Sequence, residues 1–272
     1  MTTARANAKL NLALVVGPRR DDGLHEVMTV LQRLDLADEV SVEPSPELLV
    51  EGFPEDTLVR AALEALAEAV RTNTSWKATI RKEIPVAAGL GGGSSDAATA
   101  LTLANESLDE PLPASALHEL ATGLGADVPF FLTKGPQLGE GTGTDLRAVD
   151  LPQDYRALLI LPRGASKTST ATVYAAFDER EGERGWAERR ARLEEALAQV
   201  GQAGDLAALP PNDLASSPLS DELLGLGAFR ADVSGAGPAV FGLFHEREQA
   251  MTAGQELRDH GQTWITAPAW YR

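Results

Sequence analysis

The feature that most constrains this chain is the run Pro85-Val86-Ala87-Ala88-Gly89-Leu90-Gly91-Gly92-Gly93-Ser94-Ser95. Its glycines leave the backbone bare, so another group can approach the main chain closely. The alternating segment Lys77 to Ile84 in front of it predicts a strand, and Ala97 to Ala104 behind it predicts a helix. A glycine loop that opens a helix presents unpaired N–H groups and the positive end of the helix dipole, and both favour an anion. Ser94 and Ser95 add hydroxyl donors, and Asp96 or a serine is expected to cap the helix. Two familiar phosphate loops do not fit. The dinucleotide pattern G-x-G-x-x-G breaks at Ser94 after Gly89 and Gly91, and no lysine follows the glycines as a P-loop requires. The bland alternative is a flexible loop with a serine cap.

Elsewhere the pattern alternates strands and helices. Ala8 to Val16 reads as a strand, apolar except for Lys9 and Asn11, which lie two apart and therefore share a face. A turn is expected over Pro18 to Gly23, with further strands at Val27 to Leu34 and Glu39 to Glu43. Thr57 to Val70 predicts an amphipathic helix, and Ser115 to Leu124 another. Pro136 to Gly143, rich in glycine, reads as a loop, and Ala157 to Leu161 as a strand. Ser169 to Phe177 and Trp186 to Val200 predict helices, and Pro210-Pro211-Asn212-Asp213 a turn opening onto a helix. Asp232 to Phe244 reads as strand, glycine turn (Ser234 to Pro238) and strand. The fold class is α/β (α+β) in two domains, 1–150 and 151–272.

Composition narrows the function. The net charge of −16 over 272 residues repels a phosphate backbone and makes a nucleic-acid partner a poor fit. An anionic small molecule needs local positive potential, which backbone N–H groups, a helix N-terminus or a metal ion supply. The absence of cysteine excludes disulfides and thiolate metal sites. Neither a signal-peptide core nor an apolar run of about 18 residues is present, so the expectation is a cytoplasmic chain with no membrane partner.

Two charged residues stand out against apolar surroundings. Asp127 stands between a glycine-containing turn and the apolar run Val128 to Leu132, a candidate base, although read by itself it is better explained as the cap of a helix before Pro129. Lys9, inside an apolar strand, is costly unless paired or functional, although an edge-strand lysine also discourages aggregation.

Pro85-x-x-x-Gly89-Leu90-Gly91-Gly92-Gly93-Ser94-Ser95 resembles the central motif of the GHMP kinases. Ala8-Lys9-Leu10-Asn11-Leu12, Asp22-Gly23-Leu24-His25-Glu26, Gly125 to Phe131, Asn212-Asp213-Leu214 and Ser234-Gly235-Ala236-Gly237 more narrowly resemble the branch acting on 4-diphosphocytidyl-2-C-methyl-D-erythritol. The ordered set covers nearly the whole chain. The resemblance implies a ribosomal-protein-S5-domain-2-like N-terminal half that binds ATP and a C-terminal α/β half that closes over the substrate. It implies ATP along Pro85 to Ser95 with Mg²⁺ bridging the phosphates, Ser95 being one candidate ligand. It further implies Lys9 and Asp127 beside the acceptor hydroxyl, Asn11 bonded to substrate, His25 reading the cytosine edge, and Thr170 and Tyr174 contacting substrate. The small molecule is the expected partner, for a monomer or weak homodimer.

Four departures from that pattern stand out. Leu24 replaces a tyrosine expected to stack on cytosine, Asn7 replaces a proline, Asp56 replaces an asparagine near the adenine side, and Gly237-Pro238 also suits other members of the superfamily. They touch base recognition more than phosphoryl transfer. They keep two rivals in view, a GHMP kinase with another acceptor such as homoserine or a mevalonate derivative, and a ligand sensor of the same fold without turnover.

Overall fold

A computed structural model describes residues 1–53, 56–71, 74–165 and 169–269. The elements in chain order are β1 (Thr2–Arg19), β2 (His25–Ser45), β3 (Leu49–Glu51), α1 (Thr57–Val70), β4 (Ser75–Arg81), α2 (Gly92–Glu106) and α3 (Ala114–Leu124). There follow β5 (Gln137–Glu140), β6 (Asp145–Ala148), β7 (Arg156–Pro162), α4 (Thr170–Glu179), α5 (Trp186–Ala198), α6 (Pro218–Gly225), β8 (Arg230–Val233), β9 (Val240–Phe244), α7 (Arg247–Glu256) and β10 (Gly261–Thr266).

The chain divides into two compact units. The first comprises Met1–Ala8, Leu36–Val86 and Gly91–Lys134, and the second Lys9–Asp35, Ala87–Leu90 and Gly135–Arg272. In the first unit the far half of β2 pairs antiparallel with β4, Glu39 opposite Arg81, and β3 adds in parallel to β4. Helix α1 lays Val59, Ala62, Leu63 and Leu66 against this layer, the stripe its spacing predicts. Helix α2 is buried on more sides, with Ala97, Ala98, Ala100, Leu101 and Ala104 all in the same core. Its many alanines permit that close packing.

The second unit holds the antiparallel sheet β10–β7–β9–β8, covered by α6 and α7 through Leu219, Leu223, Ala250 and Ala253, and by Leu257 just after α7. Its buried Arg230 donates to the carbonyls of Leu12, Leu209 and Pro210. Burial lowers that guanidinium to about 10, and neighbouring Asp232 opposes the shift.

Three local expectations are corrected. The two strands expected over 27–43 are one strand, β2, because the acidic residues between them find partners. Asp35 Oδ1 accepts from Ala267 N at 2.9 Å, and Asp38 Oδ1 from Glu83 N and Ile84 N at 2.6 and 2.8 Å. The segment 136–143 is not all loop, since β5 pairs with β2, Val30 opposite Leu138. Gly139 sits in that strand because a Cβ there would lie 2.9 Å from the Gly143 carbonyl oxygen. The turn over Pro210 to Asp213 does not open directly onto a helix. α6 starts at Pro218, capped by Ser217, and Asn212 and Asp213 have other work.

Candidate active site

Lys9 and Asn11 lie on one face of β1, as two residues two apart must. Both are buried, and Lys9 Nζ donates to Asn11 Oδ1 at 2.6 Å. The Asn11 amide is oriented by its own donation to Thr29 Oγ1 at 2.9 Å. Its backbone N–H donates to Ser234 Oγ at 3.3 Å, and Ser234 Oγ donates to Gly89 O at 3.1 Å. A Cβ on Gly235 would stand 3.0 Å from Asn11 Oδ1 and 3.5 Å from Lys9 Nζ. The second glycine turn thus belongs to the Lys9 cluster rather than serving only as a hairpin. Asn212 holds it in place, its side-chain amide donating to Val233 O and Gly235 O at 2.9 and 2.6 Å.

The loop Pro85 to Ser95 is shaped along its whole length. Ala87 takes the left-handed backbone, φ 62°, which costs a non-glycine residue about 1 kcal/mol. The neighbouring peptides hold it there, with Ala239 N donating to Ala88 O at 3.0 Å and Lys9 N to Leu90 O at 2.9 Å. Gly89, φ 83°, allows no side chain, because a Cβ would lie 2.4 Å from Ser234 O. Gly91, φ 71°, is the residue before α2, and among the described residues no side chain caps that helix. The expected cap by Asp96 or a serine is therefore not made. Ser95 N donates to Gly91 O, and the N–H groups of Gly92, Gly93 and Ser94 precede the first intrahelical bonds. An uncapped helix end carrying partial positive charge suits a phosphate.

Beside this end lies a charged cluster that no local sequence spacing reveals. Lys82 Nζ donates to Asp38 Oδ2 at 2.5 Å and to Asp96 Oδ2 at 2.6 Å. Both carboxylates are fully buried, and Asp96 Oδ1 has no hydrogen-bond partner among the described residues. Burial pushes the Asp96 carboxyl up to about 7; Lys82 opposes that shift, and the charges of Asp38 and Asp56 add to it. Burial would lower Lys82, but Asp96 and Asp38 outweigh it and hold its pKa above the usual lysine range. A Cβ on Gly92 would stand 3.3 Å from Lys82 Nζ, so this ammonium flanks the first turn of α2.

Asp127 is half-buried in the turn from Gly125, where Val128 N donates to Gly125 O at 3.1 Å. The short 3-10 helix Pro129–Leu132 follows directly, with Val128 at its N-cap position. Asp127 belongs to the first unit and Lys9 to the second. His25 opens β2 and is buried, not solvated as a lone loop histidine would be. Its ring lies 4.9 Å from that of Tyr174, tilted 31°, and meets Phe177 edge-on at 5.9 Å. Its Nε2 lies 2.7 Å from Asp178 Oδ1. Thr170 is exposed in the first turn of α4, and the cap there is Ser169, accepting from Thr172 N at 3.1 Å. Leu24, 55% exposed, offers no ring, so His25 and Tyr174 supply the aromatic surface nearby. Asp56, where an amide was expected, caps α1 by accepting from Leu58 N and Val59 N, both at 2.9 Å. Among the described residues no cluster of three or more His, Cys, Asp or Glu could hold a metal ion, and no helix is long and apolar enough to cross a membrane.

Residues 57–135 match the family described as GHMP kinases N terminal domain, and residues 195–263 match GHMP kinases C terminal, together more than half of the chain. A relative from Pelobacter propionicus named 4-diphosphocytidyl-2-C-methyl-D-erythritol kinase is 38% identical over 98% of each chain. One of the same name from Kineococcus radiotolerans is 39% identical over 88% of this chain and 80% of that one. A crystal structure of 4-(cytidine 5'-diphospho)-2C-methyl-D-erythritol kinase superposes with a TM-score of 0.80 at 31% identity, covering 99% of this chain and all of that one. A mevalonate kinase structure, 14% identical with a TM-score of 0.77, shares the fold. The bare glycine loop, the uncapped α2 and the Lys9–Asn11–Ser234 cluster agree with what these matches establish, that the chain belongs to the GHMP kinases and, within them, to the 4-diphosphocytidyl-2-C-methyl-D-erythritol kinases.

Proposed function

We propose that this chain transfers the γ-phosphoryl group of ATP to the 2-hydroxyl of 4-diphosphocytidyl-2-C-methyl-D-erythritol, giving ADP and the 2-phosphate, a step of non-mevalonate isoprenoid precursor synthesis. The observation that carries the reading is the uncapped first turn of α2 behind a loop in which Gly89 admits no side chain. Phosphoryl transfer rests mainly on positioning and charge stabilisation, and such an end supplies both.

The residues present fit a bound triphosphate. In this reading Pro85 to Ser95 wraps the phosphates with backbone N–H groups, and the dipole of α2 faces them. Mg²⁺ bound with the nucleotide would supply charge neutralisation at the phosphates. Ser95, in the first turns of α2, remains the candidate protein contact. Asp127 accepts from the attacking hydroxyl, orients it and takes its proton as the new bond forms. Lys9, held by Asn11, stabilises the negative charge that develops on the attacking oxygen. His25, Thr170 and Tyr174 hold the cytidyl end, and Asn11 bonds the substrate. In this proposal residues 1–150 form the nucleotide half and residues 151–272 the half that closes over the substrate.

The test is an ATP-consumption assay with the cytidyl substrate, run beside Asp127→Asn. The variant is expected to keep its melting temperature and nucleotide affinity while kcat falls about 10²–10⁴-fold. A kcat near that of the parent removes Asp127 from the chemistry.

A further inference from the structure

Helix α4 presents Tyr174, Phe177 and Asp178 at i, i+3 and i+4, the spacing that brings three side chains onto one face. All three meet His25. Tyr174 lies along its ring, Phe177 touches it edge-on, and Asp178 Oδ1 lies 2.7 Å from Nε2. The His25 side chain is only 6% exposed, whereas Asp178 is 42% exposed. A buried ring packed against two aromatic side chains and bonded to a carboxylate does not turn over readily, so its two nitrogens keep distinct surroundings. A carboxylate can only accept. The nitrogen facing Asp178 therefore carries a proton, and in the neutral ring the other nitrogen is left as an acceptor.

We propose that Asp178 is a positioning residue for base selection: by accepting from Nε2 of His25 it fixes the tautomer in which Nδ1 accepts, so the chain selects a pyrimidine bearing an exocyclic amine over one bearing a carbonyl at that position. This rests on the reading of His25 given above and adds the group that sets what His25 can recognise. Cytosine presents an amine donor there and uracil an oxygen acceptor; an accepting Nδ1 bonds the first and opposes the lone pairs of the second. A site built to pair one polar group discriminates strongly against an analogue that leaves it unpaired.

The experiment compares kcat and KM for the cytidyl substrate and its uridyl analogue in the parent chain, Asp178→Asn, Asp178→Ala and His25→Ala. An asparagine can turn its amide to donate to Nε2, which moves the ring proton to Nδ1 and makes that nitrogen a donor. The expected result is a fall of roughly tenfold or more in the cytidyl-over-uridyl ratio of kcat/KM for Asp178→Asn, carried by KM with kcat nearly unchanged. Asp178→Ala, which removes the fixing group without reversing it, is expected to lose discrimination to a smaller extent. A merely structural role for this exposed carboxylate would lower both substrates alike and leave the ratio unmoved. If His25→Ala raises the cytidyl KM while both Asp178 variants keep the parent ratio, the positioning role is overturned and the role of His25 stands. If His25→Ala changes neither KM nor the ratio, the reading of His25 falls, and the role of Asp178 falls with it.

Discussion

Helices α1 and α2 share one core, yet their N-termini are built in opposite ways. α1 is closed by Asp56, whose Oδ1 accepts from two of the first N–H groups. α2 begins after Gly91 with no capping side chain, although Ser94, Ser95 and Asp96 all stand within reach in sequence. With glycine at the N-cap position, the uncapped end forgoes roughly a few tenths of a kcal/mol. What steadies α2 instead is lateral: Asp96 is tied to Lys82, Lys82 to Asp38, and Asp38 to the backbone N–H groups of Glu83 and Ile84. The difference separates a helix end closed by a side chain from one left open, where the proposed phosphate site lies. Asp96, one of the cap candidates in the sequence, is buried and anchors the helix through Lys82, and among the described residues no side chain takes the first N–H groups.

Breaking the lateral anchor has the largest expected effect on stability. Asp96 titrates near 7 in the folded chain and near the ordinary aspartate value of 3.8 when unfolded. Between those values the folded chain holds a proton that the unfolded chain has released. The contribution of Asp96 is therefore fully present below the unfolded value and is lost as pH rises through about 7. Asp96→Asn mimics the protonated form and cannot titrate. Melting curves from pH 5 to pH 8 should show the parent losing stability relative to Asp96→Asn, by more than about 1 kcal/mol across that window. Parallel curves would mean that Asp96 stays ionised throughout.

Opening the closed end has a smaller effect. Asp56→Ala removes the cap of α1 and is expected to cost about 1 kcal/mol, or a fall of about 2–4 °C in melting temperature. Asp56→Asn retains an acceptor and should restore most of that loss. If alanine and asparagine were equally harmful, the charge of Asp56 would matter rather than its hydrogen bonds.

The two helix ends also mark where the sequence was legible. Thr57 to Val70 was read to its limits because a single stripe of apolar residues marks it, whereas the cap by Asp56 went unread. Lys9 and Asn11 were found together because a strand places residues two apart on one face, and the structure joins them. The glycine loop was legible because only close approach or a left-handed backbone explains such a run, and Gly89 shows the approach. Lys82, Asp38 and Asp96 come from a strand end, a second strand and a helix far apart in the chain, so no spacing connected them. Asp178 left a local trace, four residues after Tyr174, but its meaning needed the position of His25. β2 was divided in two because Asp35 and Asp38 break the apolar pattern, and only tertiary partners reveal why the strand continues through them.

The central claim is that the open end of α2 holds the phosphates of the nucleotide, and Gly93→Ala tests it most directly. Gly93 lies in the first turn of α2, and a Cβ there would have 3.9 Å to its nearest neighbour, Asp56 Oδ2. Replacing a helical glycine by alanine should raise stability by roughly 0.5–1 kcal/mol while covering part of the bare backbone. Calorimetric titration of Mg²⁺-ADP into both proteins, alongside their melting curves, separates the two effects. The prediction is an equal or higher melting temperature with Kd weakened roughly tenfold or more, about 1.4 kcal/mol of binding lost. A higher melting temperature with unchanged Kd would contradict it, and would place the phosphates away from this helix end.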